Sequence, residues 1–81
     1  MSALQKEDYN GWTNYETWNV ALWIENEEWL YRFAQRCDSY DAFVYYMKEA
    51  GDKKTPDGVS WSSRKINRKE LNENVFNWNE Q

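Results

Sequence analysis

The feature that most narrows the folds open to this chain is the material available for its core. Leu, Ile, Val and Phe together number 13 of 81 residues, whereas Trp and Tyr number six each. A domain of this length hides only roughly 60–65% of its unfolded surface, close to the limit at which burial outweighs chain entropy. Aliphatic content this low usually goes with disorder, but that signature also needs a high net charge, and the net charge here is −4. Each buried aromatic supplies about 150–250 Å² of surface, so a few of them replace many valines. Residues 1–81 are therefore expected to fold as one small domain with an aromatic core, residues 1–12 forming a flexible or loosely packed lead-in.

Periodicity and capping predict three helical segments. Thr13 and Glu16 have the spacing of a capping box, in which a hydroxyl takes a free backbone amide and a carboxylate reaches back. A near-continuous helix is expected from there to about Arg36; Asn26, followed by Glu27 and Glu28, is the place where it would break in two. On a helical wheel Tyr15, Trp18, Leu22, Trp29 and Phe33 fall within roughly one 60° sector, the expected core stripe. Val20, Trp23, Ile24, Leu30, Tyr31 and Ala34 lie outside it. A helix apolar on more than one side is either sandwiched between others or keeps a face for a partner.

The second helix is expected from Tyr40 to Ala50, capped by Asp38 or Ser39, striped with Tyr40, Phe43, Val44 and Met47, and stopped by Gly51. The stretch "GDKKTPDGVSWSS" follows, with a Thr55-Pro56-Asp57-Gly58 turn signature and, in "GVSWS", one weak strand candidate. Structureless loops of that length are uncommon in small domains, so Val59 and Trp61 are expected to pin it to the core. Asn67 is placed to cap the third helix with Glu70 as its capping-box partner. Ile66 and Leu71 have the spacing of a hydrophobic staple, and Leu71, Val75 and Trp78 form the stripe. The expected fold class is all-α, a small three-helix bundle with a long ordered loop before the last helix.

Several chemistries have no residues to carry them. With no histidine and one cysteine, Cys37, the chain lacks the Ser-His-Asp and Cys-His constellations and the usual nitrogen and sulfur ligands of zinc. Glu16, Glu25, Glu27 and Glu28 could supply a carboxylate pair for acid–base work or Mg²⁺, yet no basic clamp or glycine-rich phosphate loop accompanies them. Arg36 beside Cys37 could lower the thiol pKa, but a lone cysteine is more often a small buried hydrophobe. No enzyme, no cofactor and no metal site is expected. No run of eighteen apolar residues and no amino-terminal apolar segment occurs, so a cytoplasmic protein without a membrane partner is expected.

Binding is the better-supported class. Residues 1–47 carry a net charge of −5 and residues 48–81 a net +1. Trp23, Leu30 and Glu27, together with the neighbouring indole of Trp29, make a candidate protein-docking patch, apolar with an acidic rim. The competing surface is Arg64, Lys65, Arg68 and Lys69 beside Trp61, readable as phosphate contacts with a stacking residue. Four charges adjoined by Glu70 and Glu73 would give weak, salt-sensitive affinity, which ranks nucleic acid below protein docking. An acidic DNA mimic would need far more aligned carboxylates than the eight spread over residues 1–47.

The stretch "NYETWNVALWIENEEWLY" resembles a motif of small bacteriophage-encoded proteins of unassigned function, cyanophage members among them, that also occur in some bacteria; "TPDGVSW" and "KELNE" are similar to later segments of some members. The resemblance covers roughly half the chain. It implies a phage or host-cell cytoplasmic setting and no catalytic activity. Trp29 departs from the motif, where a small or polar residue is expected before the Leu-Tyr pair. The expected function is that of a small phage-type accessory protein that binds a host protein and modulates or inhibits a host enzyme. Self-association as a structural protein is the alternative.

Overall fold

The computed structural model of the protein describes Tyr9 and residues 11–76. These residues fold into four helices, α1 (Tyr15–Asn26), α2 (Glu28–Ala34), α3 (Tyr40–Glu49) and α4 (Arg68–Asn74), with no strand among them. The "GVSWS" stretch makes only an isolated bridge between Lys54 and Ser60.

The near-continuous first helix expected to Arg36 is two helices joined by one extended residue, Glu27, at φ −98° and ψ 114°. The Asn26 side-chain amide donates to the Leu22 carbonyl at 2.8 Å, competing for the last turn of α1. Hydrogen bonding is hardly lost across the link. The Glu27 amide still donates to the Trp23 carbonyl and its carbonyl accepts from Tyr31, both at 3.0 Å. What changes is phase: on an unbroken helix Leu30 would sit about 120° around from Ile24, yet both are buried in one core. The break therefore lets two faces of the apparent long helix turn inward together.

The buried side of α1 is not the expected stripe. Val20, Ala21 and Ile24 are fully buried, with Thr17 and Asn19 beside them, whereas Tyr15 and Trp29 are exposed and Trp18, Leu22 and Phe33 only half-buried. The reason is chemical. Two polar residues occupy the inward face, so a ranking by hydrophobicity points the wheel elsewhere; their polar atoms are satisfied by distant partners that the wheel does not see.

The start of α1 also differs from expectation. Asn14, not Thr13, is the N-cap, accepting from the Thr17 amide at 2.9 Å. Thr13 is engaged across the molecule: its amide donates to Glu70 Oε1 at 3.0 Å, and its hydroxyl accepts from Asn67 Nδ2 at 3.1 Å. In return the Asn67 amide donates to Thr17 Oγ1 at 2.8 Å, and Asn14 Nδ2 donates to the Lys65 carbonyl at 2.7 Å. Free amides at a helix start need acceptors; here α1 and α4 supply them for each other, which locks the two starts side by side. Asn67 caps α4 as expected, accepting from the Glu70 amide at 3.0 Å, but the Glu70 carboxylate serves Thr13 instead of reaching back.

Local signals elsewhere are followed closely. Ser39 caps α3, Tyr40, Phe43 and Met47 are buried, and Gly51 takes a positive φ of 85° just past the helix end. Ile66 and Leu71 are both buried, as a staple requires. Phe43 is the hub of the core. Its ring lies 5.4 Å from Trp61, 5.6 Å from Phe33, 5.7 Å from Phe76 and 5.8 Å from Tyr40. Trp78 and most of the lead-in expected over residues 1–12 lie outside the described residues; Tyr9 packs edge-on to Tyr15 with centroids 6.1 Å apart, and Trp12 lies against the core.

Candidate protein-docking face

The four residues chosen from the sequence for protein docking are scattered by the fold. Leu30 is 2% exposed and belongs to the core, so it can form no surface patch. Trp23 is half-buried and its Nε1 donates to Asp57 Oδ2 at 2.9 Å. The expected patch of Trp23 and Leu30 is thus replaced by a clamp. Asp57 Oδ2 also accepts from Asn19 Nδ2 at 2.8 Å; Asn19 Oδ1 accepts from Thr55 Oγ1 at 2.8 Å; and Thr55 Oγ1 accepts from the Val59 amide at 3.1 Å. The Thr55–Gly58 turn, closed by the Gly58 amide to the Thr55 carbonyl at 2.8 Å with Gly58 at φ 94°, is held on α1 by these bonds. The hydrogen bonds of Asn19, and secondarily that of Trp23, hold the Asp57 carboxyl below its ordinary pKa. Polar residues of "NYETWN" and "TPDG" are therefore each other's partners.

The basic cluster is likewise dispersed. Trp61 is 2% exposed, with its Nε1 donating to Asp52 Oδ1 at 3.1 Å, and its ring is packed on Phe43. It offers no face for base stacking. Arg68 is paired with Asp41 and lies 5.4 Å from the centre of the Tyr40 ring, and Lys69 stands 3.9 Å from Glu73. Only Arg64 and Lys65 remain as exposed cations of that group without a charged partner among the described residues. Tyr40 is structural too: buried, with its hydroxyl donating to the Trp61 carbonyl, it has a phenol pushed well above its ordinary pKa by desolvation.

The most exposed aromatic side chains among the described residues lie where α2 meets α3. Trp29 is 51% exposed, Tyr46 49% and Tyr45 58%. Phe33 joins them, 6.5 Å from Trp29 and 6.4 Å from Tyr46, while Tyr45 and Tyr46 meet edge to face at 5.2 Å. Three shallow clefts run into one another along this face. The first lies among Glu27, Glu28, Trp29 and Arg32, the second among Trp29, Arg32, Phe33 and Arg36, and the third among Phe33, Arg36, Cys37 and Tyr46. Glu28 and Arg32 form an ion pair at 2.6 Å on the exposed side of α2. Of the residues chosen from the sequence, Glu27 and Trp29 belong to this face.

The exposure of Tyr45 and Tyr46 has a signal in the sequence. Tyr45 and Tyr46 follow Phe43 and Val44 but fall off the 3/4-spaced stripe that ends at Met47. Two adjacent tyrosines off the buried face of a short helix have to be exposed. Among the described residues no group of three or more Asp, Glu or Cys side chains is placed to hold a metal ion. Cys37, bonded through Sγ to the Phe33 carbonyl at 3.6 Å, has its thiol pKa raised by burial and by Asp38, the opposite of activation by Arg36.

No helix among the described residues is long and apolar enough to cross a membrane. No curated protein and no solved structure matches the chain. A protein-family model described as "Family of unknown function (DUF7249)" matches residues 5–80.

Proposed function

The chain belongs to this family of unknown function, and since membership brings no activity with it, we propose from the geometry that the protein is a non-enzymatic interaction module that docks on another polypeptide through Trp29, Phe33 and Tyr46. The observation that carries this is the company those rings keep. A chain short of core-building residues buries Trp61, Tyr40 and Phe43, yet leaves Trp29, Tyr45 and Tyr46 about half exposed on one continuous face. Trp and Tyr dominate the energetics of protein interfaces because a large, stiff side chain gains contact area at little entropic cost. Flanking arginines and glutamates supply a polar rim. The biological form we propose is a small phage-type accessory protein of the host cytoplasm that modulates a host enzyme by binding. Nucleic acid is the weaker reading, since Trp61 is enclosed and Arg68 and Lys69 have acidic neighbours.

The test uses two variants, Trp29→Ala with Tyr46→Ala, and Arg64→Gln with Lys65→Gln. Both are first melted to show that the fold persists, and both are then used as tagged bait in affinity capture. Loss of the captured polypeptide with the first variant alone supports the docking face. Loss with the second alone moves the function to the basic side.

A further inference from the structure

The charge order along the docking face says which polypeptide fits it. Glu27 and Glu28 lie at the amino-terminal end of α2, Arg32 and Arg36 at its carboxyl-terminal side, with Trp29 and Phe33 between them. Glu28 and Arg32 neutralise each other within the chain. Glu27 and Arg36 do not: neither side chain has an ion-pair or hydrogen-bond partner among the described residues. One uncompensated negative charge thus stands at one end of the aromatic ridge and one uncompensated positive charge beyond the other, separated by α2, about 10 Å of helix. A uniformly acidic or basic partner would match one end and be repelled by the other. A face ordered acid, aromatic, base is complementary to itself turned end for end, which is the requirement of a two-fold interface.

We infer that the occupant of this face is a second copy of the chain, paired antiparallel about a two-fold axis, so that Trp29 and Phe33 of one copy cover those of the other and Glu27 of each faces Arg36 of its mate. This rests on the reading above that Trp29, Phe33 and Tyr46 form a docking face, and it assigns that face to a second copy of the chain in place of a host protein. Two pairs of opposite charge form, and the exposed indole loses its contact with water. A standard stable interface takes about 800 Å² from each partner, about one-seventh of this chain's 5487 Å² of accessible surface. A face carried by helices of seven and ten residues belongs at the small end of that range, so the pairing is expected to be micromolar and reversible.

Sedimentation equilibrium of the full chain from about 1 µM to about 1 mM covers that range. The native protein should pass from monomer to dimer across it. Trp29→Ala should remain monomeric, with its melt showing an intact fold. Glu27→Lys alone and Arg36→Glu alone each place like charges opposite one another and should weaken the dimer about tenfold or more. Mixing these two variants should restore it, because Arg36 of the first then faces Glu27 of the second and the two replaced positions face each other with opposite sign. Should either variant fail to fold, Arg36→Gln serves with a salt titration, the dimer of the native chain loosening with salt more than that of the variant. A native chain monomeric throughout, a dimer indifferent to Trp29→Ala, or charge variants that mixing does not rescue would each overturn the inference. The docking reading fails separately: a monomeric chain whose captured partner still depends on Trp29 sinks only the self-pairing, whereas one whose capture ignores Trp29 sinks both.

Discussion

Two aromatic regions of this molecule start from similar residues and end differently. On α1, Trp23 and the polar Thr17 and Asn19 meet the loop and the start of α4, and every one of them finds a hydrogen-bond partner there. On α2 and α3, Trp29 and Tyr46 each meet Phe33, Tyr45 meets Tyr46, and no element among the described residues is laid over them. The first region has committed Trp23 to holding a long loop. The second has kept its rings available. What separates the two is less the amount of apolar surface than the presence of a distant segment carrying complementary polar atoms: "TPDG" provides Thr55 and Asp57 for α1, and no described segment does the same for α2.

The largest effect should come from the loop's anchor. Trp61 is almost wholly enclosed and packs edge-on to Phe43, so Trp61→Ala should cost about 3–5 kcal/mol. Against the roughly 5–15 kcal/mol total stability of small domains, that removes most of the margin. Chemical denaturation followed by circular dichroism measures it. Trp18→Ala should cost less, since Trp18 is only half-buried between Tyr9 and Tyr15; equal losses for the two would restore the stripe expected from the wheel.

Asn19→Ala comes next. Asn19 is fully buried and links Thr55 to Asp57; its truncation leaves the Thr55 hydroxyl without its buried acceptor, a loss of about 1–3 kcal/mol. Protection of the Val59 amide from hydrogen exchange should fall with it, because that amide donates to the same hydroxyl. An unchanged Val59 would mean that the loop is held by Trp61 alone.

How much of this could be read from the sequence follows from the range over which each signal acts. The caps of α3 and α4, the Thr55–Gly58 turn and the Ile66–Leu71 staple depend on residues within a few positions, and all are found in place. The break at Glu27 was marked by Asn26, but its consequence was hidden: a wheel assumes an unbroken helix, and the extended residue resets the phase for Leu30 and Ala34. The face of α1 was misread because Thr17 and Asn19 look like surface residues until Asn67, Thr55 and Asp57, 38 to 50 positions on apart from Thr55 at 36, are brought to them. The docking face was half visible, through Glu27 and Trp29. Its other half needed α3 to be laid against α2.

A pH dependence isolates the clamp from the rest. Asp57 has its pKa lowered in the folded state by Asn19 and then Trp23. A depressed carboxyl contributes stability that is present above its unfolded value, near 3.9, and is lost as the pH falls through the folded value. The native protein should therefore melt at lower temperature below about pH 4. Asp57→Asn should lower the melting temperature at neutral pH and flatten that acid limb, so that the two melting curves converge as the medium becomes acidic. Parallel curves at all pH values would show that Asp57 does not hold the turn through its charge.

The smallest effect on stability should be at the other aromatic region, and it decides whether the comparison is sound. Trp29 projects half its surface into water and, among the described residues, packs its ring against Phe33. Trp29→Ala removes that one ring contact but places a better helix former in an exposed position of α2, so the two changes offset and the net shift should lie within about 0.5 kcal/mol. The same substitution should abolish docking, since the ridge loses the ring that joins its acidic and basic ends. Stability and binding are then separated in one variant: a denaturation midpoint close to native with binding gone identifies a surface kept for a partner. A loss comparable with that of Asn19→Ala would instead make Trp29 part of the core, and the two regions would no longer differ in kind.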